Sequence, residues 1–409
     1  MKVTYSFLNI DSFLEKVYFL FLLLIVLSLP LHNLINSYVI VFFSVTALIY
    51  ILLTRSYKKK YNNKLFLISI GFYAVHFLAY FTSKNLEPFF FDLEQKASLL
   101  VFPLAIGLSP TLSKKRLNII FTVFISTTFI VSLATFRGGF YTAWKDAGLY
   151  DNLIVHRPYL GMYVVISIFL LIEFLKKGNP WSNFAIVMLV LCFILFLIVI
   201  IAKMAVLVII ILLLFYYFLD LYFKKKFKSI LCHLLFIIIV LSGILLSNHG
   251  LRNNLSKVIH LKNFSWEEYD ARIVNSVNIR NGLWRCSSDL LSRNYNWLFG
   301  VGTGDVKNEL NECFREKIGP LFLNFDPHNQ YLSLLLNIGI IGLLMFLVLL
   351  FLPIRQMLIV QNKLGLIFLS ALFIFCFSES ILGVQKGVVF YSLFYSILIL
   401  NPYEKSIST

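Results

Sequence analysis

Near the end of the chain, a histidine lies where a polar segment gives way to an apolar one. His328 belongs to the segment 326–332, which reads DPHNQYL and leads directly into the apolar stretch 334–342. Histidine can accept a proton near neutral pH because its unperturbed pKa lies close to that range. The position indicates a general base at the edge of an apolar segment, although a lone histidine at such an edge more often has no chemical role.

The chain that carries this histidine is far more apolar than a water-soluble protein. Of its 409 residues, 59% are hydrophobic and only 14% are charged, and the chain contains 42 Phe and 21 Tyr. Soluble domains are about 45–50% apolar and about 25% charged. The composition excludes a soluble enzyme, a disordered chain and a fibrous protein. It predicts an all-α polytopic membrane protein, in which aromatic side chains favour the membrane–water interfaces.

Apolar runs near twenty residues match helices that cross a hydrocarbon core of roughly 30 Å. The stretch 183–223 is interrupted by one cation, Lys203, and is long enough to cross twice, so we expect a turn near Lys203. About twelve spans are predicted, near residues 17–30, 34–53, 65–82, 97–110, 117–135, 159–175, 183–201, 203–220, 230–247, 331–352, 364–382 and 388–400. The chain then divides into an N-terminal bundle of about nine spans, a long loop, and about three further spans with a short tail, at residues 1–247, 248–330 and 331–409.

Basic residues in alternate loops predict the orientation. With both termini inside, the inside segments hold 19 Lys and Arg residues and the short outside segments hold 7. The other ten lie in the loop 248–330, and long loops cross a membrane largely regardless of charge. We therefore expect cytoplasmic termini and a loop on the opposite side, which in a bacterium is the periplasm. The net charge of +16 then reflects orientation and an anionic substrate, not a nucleic-acid partner.

The long loop has features that a simple connection between spans does not need. Its 83 residues include Trp266, Trp284 and Trp297, and its stretch 278–292 places apolar residues at helical spacing. We expect short amphipathic helices over the outer face of the bundle. Its only cysteines, Cys286 and Cys313, would lie where oxidation is permitted, and we hypothesise that they form a disulfide.

A glycine-rich segment, GVGTG at residues 300–304, follows within the same loop. No strand precedes it and no GK[ST] follows it, so a nucleotide-binding interpretation lacks its structural context. We interpret it as a tight turn in which glycine adopts positive φ.

These motifs together resemble the O-antigen ligase/polymerase superfamily (Wzy/WaaL-like). HNQYL at 328–332, followed by Gly339 and Gly342, is similar to that family's signature, and the Arg-xxx-Trp segment 280–284 and the GVGTG turn precede it in the family's order. Weaker similarities are HRPYLGMY at 156–163, Lys203-Met204, Glu379-Ser380 and QKGV at 385–388. The resemblance covers about residues 150–395; the first 140 residues match only as a hydrophobic pattern.

The resemblance implies transfer of a glycan from undecaprenyl diphosphate to an acceptor hydroxyl. His328 would be the general base, and the departing diphosphate would be bound by Arg280, Arg157, Lys203 and, less clearly, Arg285. The supporting residues would be His156, Asn329, Tyr331, Trp284 and Glu379. Lys203 could instead extend its charge to the interface, and Glu379 could pair with Lys386 or orient a reacting group.

No acidic pair of the DxD type matches a metal site, so we expect a reaction without metal or cofactor. Direct displacement by the acceptor hydroxyl would invert the configuration at the anomeric carbon. The expected partners are the lipid-linked glycan donor, lipid A–core or another glycan acceptor, and membrane lipids. The expected location is the bacterial inner membrane, with the active site at its periplasmic face.

Two other functions remain open from the sequence. A polymerase of the same superfamily would join carrier-linked repeat units; the HNxYL arrangement late in the chain favours the ligase. A transporter for the same lipid-linked sugar would need charges lining a path through the spans, and such residues are nearly absent.

Overall fold

In the computed structural model, the described residues are 3–31, 33–55, 64–139, 155–175, 179–200, 202–230, 232 and 276–401. This part of the chain is helical, at 83% helix, and holds no strand. Most of the predicted span 230–247, the first part of the long loop and Trp266 lie outside the described residues. The all-α prediction is confirmed for the part described.

The helices are numbered here in chain order. Those before the long loop are α1 (Val3–Ser28), α2 (Asn33–Thr54), α3 (Lys64–His76), α4 (Leu86–Gln95), α5 (Ser98–Phe102), α6 (Lys114–Gly139), α7 (Arg157–Leu175), α8 (Pro180–Val199) and α9 (Lys203–Phe223). The others are α10 (Ser276–Ser292), α11 (Asn296–Phe299), α12 (Val306–Cys313), α13 (Gln330–Ile359), α14 (Lys363–Phe375) and α15 (Gln385–Tyr395). Short 3₁₀ or π turns extend four of them, at Phe77–Tyr80, Pro103–Gly107, Phe314–Ile318 and Ser396–Leu400.

Six described helices are long and apolar enough to cross a membrane. They are α2, the part Lys114–Thr135 of α6, α7, α8, α9 and α13. Three shorter apolar helices, Lys64–Tyr80, Lys363–Phe375 and Gln385–Leu400, coincide with predicted spans. The chain is therefore a helical membrane protein, and the count of twelve spans stays a prediction.

The turn expected near Lys203 is confirmed. Helix α8 ends at Val199 and α9 begins at Lys203. A Cβ added at Gly161 of α7 would lie 3.0 Å from the Cβ of Ala205, so small residues on both sides let α7 approach this turn closely. The first turns of α7 and α9 consequently lie at the same end of the bundle.

Contacts between distant loops define one end of the bundle, here called the site end. The hydroxyl of Tyr159 donates to the carbonyl of Ser380 at 3.2 Å, and Nζ of Lys386 donates to the carbonyl of Leu31 at 2.9 Å. These contacts bring together the start of α7, the α1–α2 connection and the 376–385 turn between α14 and α15.

A second set of connections meets at the opposite end. Nδ2 of Asn401 donates to the carbonyl of Ile106 at 2.9 Å, and Nδ2 of Asn362 donates to the carbonyl of Leu398 at 2.9 Å. The alternation of loops between two ends agrees with the order of spans expected from the sequence.

The described part of the long loop has a small apolar core of its own. Cys286 and Cys313 are joined in a disulfide that links α10 to α12. The disulfide lies among buried apolar residues of the same segment, and this cluster includes Leu336 of α13. A covalent link between residues 27 apart restricts the unfolded loop, which typically stabilises a fold by about 3–4 kcal/mol.

The glycine-rich turn packs into a break in α13. Gly300 and Gly302 have φ of +82° and +96°, and Gly339, inside α13, has φ of +66°. A Cβ at Gly339 would lie 2.1 Å from the carbonyl oxygen of Leu298. The tight-turn interpretation is confirmed, since both conformation and close backbone approach require glycine here.

Replacing Gly339 with alanine should lower the free energy of unfolding by about 3 kcal/mol, because alanine disfavours this φ and its methyl group would overlap the Leu298 carbonyl. The measurement is thermal unfolding of the detergent-purified protein. Gly71→Ala is the matched control: its Cβ would meet only the flexible end of Met345, at 3.2 Å, and we expect stability within about 1 kcal/mol of wild type. Equal stability of the two variants would contradict the close packing of the Leu298 carbonyl against Gly339.

Candidate functional site

The carboxylate of Glu379 joins two of the predicted site residues. Oε2 of Glu379 lies 3.2 Å from Nδ1 of His328, and Oε1 lies 3.1 Å from Nη2 of Arg280. The glutamate side chain is only 9% exposed. A carboxylate so removed from water needs partners that compensate its charge, and here it has the guanidinium of Arg280 and a hydrogen bond from the imidazole of His328.

The same contacts settle which partners Glu379 has in this structure. Nη2 of Arg280 also donates to the carbonyl of Ser378 at 3.3 Å, so the arginine binds both the backbone and the side chain of the 376–385 turn. Lys386, the alternative partner, donates instead to the carbonyl of Leu31. Glu379 therefore contacts His328 and Arg280, which come from two other segments of the chain.

The backbone of His328 is held in an unusual conformation. Its φ is +47°, a value that residues other than glycine adopt uncommonly. The backbone N–H of His328 donates to Oδ1 of Asp326 at 2.8 Å, and the same oxygen lies 3.4 Å from Nδ1 of the histidine ring. Asp326 thus stabilises both the turn and the imidazole, a role that sequence reasoning missed although Asp326 stands two residues before the histidine.

Trp284 and Arg280 are one helical turn apart on α10 and contact the site together. Nε1 of Trp284 donates to the carbonyl of Pro327 at 2.9 Å. The indole therefore fixes the residue just before His328, while Arg280 contacts the 376–385 turn. The spacing of four residues in the Arg-xxx-Trp segment puts both side chains on one helix face.

Asn329 and Tyr331 have structural contacts that explain their presence. Oδ1 of Asn329 accepts from the backbone N–H groups of Tyr331 at 3.0 Å and Leu332 at 3.1 Å, which caps the start of α13. The hydroxyl of Tyr331 donates to the carbonyl of Phe373 at 2.8 Å and its ring packs against Phe377. The two residues fix where α13 begins and how it packs against α14.

Gln330 is a further residue that sequence reasoning missed. Its backbone N–H donates to the carbonyl of Cys376 at 2.8 Å, and its side-chain oxygen accepts from the backbone N–H of Leu382 at 2.7 Å. The buried glutamine therefore connects the start of α13 to the turn that carries Glu379. Nothing in the residue type or its spacing indicates this pairing in the sequence.

His156 and Arg157 lie beside this cluster, at the start of α7. His156 is exposed, yet the protein around its ring removes enough hydration to lower its pKa. The charge of Glu379 acts against that decrease, and the charges of His328 and Arg157 add to it. Tyr159, three residues further along, donates to the carbonyl of Ser380, which places the start of α7 beside the turn that carries Glu379.

The remaining two predicted cations differ in their accessibility. Lys203 is exposed at the first position of α9, at the site end. Arg285 is 3% exposed, and its Nε donates to Oδ1 of Asn281 at 3.1 Å. The structure brings Arg280 into contact with the His328 cluster and leaves Arg285 buried within the loop.

The pKa of His328 is raised above its ordinary value. Burial, the largest single influence, lowers it, but the hydrogen bond to Glu379 and the negative charges of Asp326 and Glu379 together outweigh burial. The positive charge of Arg280 acts in the opposite direction to these carboxylates. The imidazole is consequently a stronger base than a free histidine side chain.

Within the described ranges, no group of three or more His, Cys, Asp and Glu side chains has an arrangement that could hold a metal ion. What the site offers chemically is a carboxylate-oriented imidazole next to a guanidinium. Such a pair is suited to removing a proton from a hydroxyl close to an anionic group.

These features define the class of protein: a helical membrane protein with a histidine, glutamate and arginine cluster at one end of its bundle. A family model described as O-antigen ligase matches residues 191–347. The match supports the resemblance seen in the motifs: residues 191–347 are similar to the domain of the O-antigen ligase/polymerase superfamily, a family of glycosyltransferase-like ligases and polymerases. No curated protein matches the chain.

The matched segment contains some of the site but not all of it. Lys203, Arg280 and His328 fall inside 191–347, whereas Arg157 precedes that segment and Glu379 follows it. Parts of the chain outside the matched segment therefore complete the cluster.

Replacing Asn329 with alanine should lower the free energy of unfolding by about 1 kcal/mol, because the first N–H groups of α13 lose their acceptor. Asn329→Ser is the matched comparison, since serine can also cap a helix and adds no charge. We expect the serine variant to match the wild-type protein in both stability and activity. Inactivity of both variants at wild-type stability would instead assign Asn329 to substrate binding.

Proposed function

We propose that this protein is an O-antigen ligase, a metal-independent, inverting glycosyltransferase. It transfers a finished polysaccharide from undecaprenyl diphosphate to lipid A–core at the periplasmic face of the bacterial inner membrane. The observation that carries the proposal is the contact of Glu379 with both His328 and Arg280. One cluster thereby offers a base for the acceptor and a cation for the leaving group.

The contact with Glu379 also supports different roles for the two ring nitrogens of His328. A carboxylate can only accept a hydrogen bond, so Nδ1 carries the proton and donates to Oε2. Nε2 is then the nitrogen with a lone pair, available to the acceptor hydroxyl. Glu379 orients the ring and stabilises the imidazolium that forms when Nε2 takes the proton.

The reaction is a direct displacement at the anomeric carbon of the donor. The acceptor oxygen forms the new glycosidic bond as its proton passes to Nε2 of His328. The bond from the anomeric carbon to the phosphate oxygen breaks, and its electron pair remains on undecaprenyl diphosphate. Attack from the face opposite the leaving group inverts the anomeric configuration.

The departing diphosphate would be stabilised by cations at the site end. Arg280 adjoins the base, and Arg157 and Lys203 lie at the first turns of the neighbouring helices α7 and α9. Guanidinium groups match phosphate oxygens bidentately, and fixed cations near a leaving group stabilise developing charge. We leave Arg285 out of this set because it is buried.

Exchanging His328 for alanine should reduce transfer by about 10²–10⁴-fold, the usual contribution of a general base. The measurement is the carrier-linked glycan pool in a deletion strain complemented with wild type or the variant, at matched protein levels in the membrane. For a ligase, we expect long polymer on undecaprenyl diphosphate and uncapped lipid A–core.

Other outcomes of this experiment would be decisive in different ways. Accumulated single repeats, with lipid A–core capped by only one unit, would identify a polymerase. A normal glycan pattern with His328→Ala would overturn the base assignment, and a parallel His156→Ala strain would show whether that histidine acts instead. A product that retains the donor's anomeric configuration would exclude direct displacement.

The raised pKa of His328 predicts the pH dependence. Only the neutral imidazole can accept a proton, so activity should fall as the pH drops through a value above 6.5, the ordinary histidine pKa. Glu379→Gln removes a charge that raises this pKa, so the acidic limb of the pH profile should move to lower pH. The maximal rate should also fall by at least about tenfold, because the imidazolium loses its counter-charge. The measurement is transfer by purified protein across the titration range.

Asp326→Asn is the comparison variant for this profile. It removes a second carboxylate that raises the pKa of His328 and keeps the ion pair between Glu379 and Arg280. We expect a shift in the same direction with a smaller loss of maximal rate. An acidic limb that is unchanged in both variants would refute control of the reaction by His328.

A further inference from the structure

A cavity with charged and apolar lining residues lies at the end of the bundle opposite the His328 cluster. It has a volume of about 520 Å³ and is lined by the first turns of α6 and α14, the last turns of α7 and α9, and the turn Ser396–Leu400. Helices α6, α7 and α9 are long enough to cross a membrane, so their ends mark a membrane–water boundary. The cavity is therefore an interfacial pocket, here called the opposite-end pocket.

Lysines outnumber carboxylates around this pocket. The lining holds Lys114, Lys224 and Lys363 against Glu173 and Asp220. Its formal charge is thus positive by one. An anion at this position would meet more positive than negative charge at close range.

The carboxylate of Asp220 forms ion pairs with two of these lysines. Asp220 contacts Nζ of Lys224 at 2.6 Å and also pairs with Nζ of Lys363. A single negative charge between two ammonium groups leaves positive charge uncompensated at that point. A phosphate oxygen could accept from such a pair without displacing Asp220.

Aromatic rings hold the buried member of the pair in place. Nζ of Lys363 lies 5.3 Å from the ring centroid of Tyr216 and 5.8 Å from that of Phe223. The lysine side chain is 16% exposed, so little conformational freedom remains to be lost when it binds an anion. This cation is preorganised towards the pocket.

The walls of the pocket are suited to hydrocarbon. Apolar side chains from three helices face the space: Leu117 and Phe121 of α6, Leu170 and Phe174 of α7, and Leu364 of α14. These apolar side chains would not stabilise a free phosphate ion. They would stabilise a lipid, because its upper acyl carbons would be buried against them.

More cations stand next to the pocket lysines Lys114 and Lys224 in the sequence. They are Lys115, Arg116, Lys225, Lys226 and Lys228. Arg116 is paired with Glu15. Basic side chains near a membrane surface attract anionic lipids, by about 1 kcal/mol each.

We propose that the opposite-end pocket binds an anionic phospholipid, with its phosphate between Lys224, Lys363 and Lys114 and its acyl chains along the apolar wall. The lysine excess selects the charge of the ligand, and the wall distinguishes a lipid from a soluble anion. The site is independent of the glycan-transfer proposal, because it lies at the other end of the bundle and shares no residue with the His328 cluster.

The test is the affinity of the purified full-length protein for phosphatidylglycerol, phosphatidylcholine and inorganic phosphate, measured by titration in detergent with native mass spectrometry. The test variant is Lys114→Gln with Lys224→Gln; Lys363 is kept so that Asp220 remains paired. The matched control is Lys115→Gln with Lys225→Gln, which removes the same charge from positions that do not line the pocket.

We expect the test variant to bind phosphatidylglycerol roughly thirty-fold more weakly than wild type, the effect of two lipid-binding lysines, while its thermal unfolding is unchanged. The control pair should reduce binding by less than about threefold. Wild type should bind phosphatidylcholine much more weakly than phosphatidylglycerol.

Three results would overturn the proposal. Equal loss of affinity in the test and control variants would mean general attraction to a basic surface. Equal affinity of wild type for the two phospholipids would remove the role of the lysine excess. Inorganic phosphate that binds as tightly as phosphatidylglycerol and displaces it would identify a soluble-anion site.

Discussion

The arrangement of the site depends on one buried carboxylate. Glu379 is almost removed from water and contacts both Arg280 and His328, which lie on two other segments of the chain. Deleting one partner of a buried ion pair typically costs about 3–5 kcal/mol, because the remaining charge keeps its desolvation penalty. Glu379 therefore couples three elements: the loop helix α10, the turn before α13 and the turn between α14 and α15. The same contact that holds these segments together also contributes to the raised pKa of His328.

Around this carboxylate, backbone groups do most of the positioning. The carbonyls of Pro327, Ser378 and Ser380 each accept a hydrogen bond from a side chain on another element. This reliance follows from the geometry of the turn at His328, whose positive φ must be stabilised by its surroundings. Helices fix the approximate position of the turn, and these hydrogen bonds fix the orientation of the imidazole within it.

The bundle separates two chemically different ends. At the site end a histidine and an arginine share a glutamate, whereas at the opposite end two lysines share Asp220. Between them lies a continuous apolar core. Charges inside a membrane span are costly, so polar chemistry collects where the helices end. A polytopic helical protein with long spans is thereby expected to have its polar sites in two layers.

The sequence by itself determined the helical membrane class, the turn near Lys203, the tight glycine turn and the similarity to a superfamily. Hydrophobic periodicity, the reach of a helix across a bilayer and a local motif are all properties of neighbouring residues. It also singled out His328, Arg280 and Glu379 as separate candidates. Only the tertiary structure decided that Glu379 contacts the other two, that Arg285 is buried, and that Asp326 and Gln330 contribute. Glu379 is 99 residues from Arg280 and 51 from His328. At such separations helical spacing carries no information, and the packing of α10, α13 and α14 decides which side chains meet.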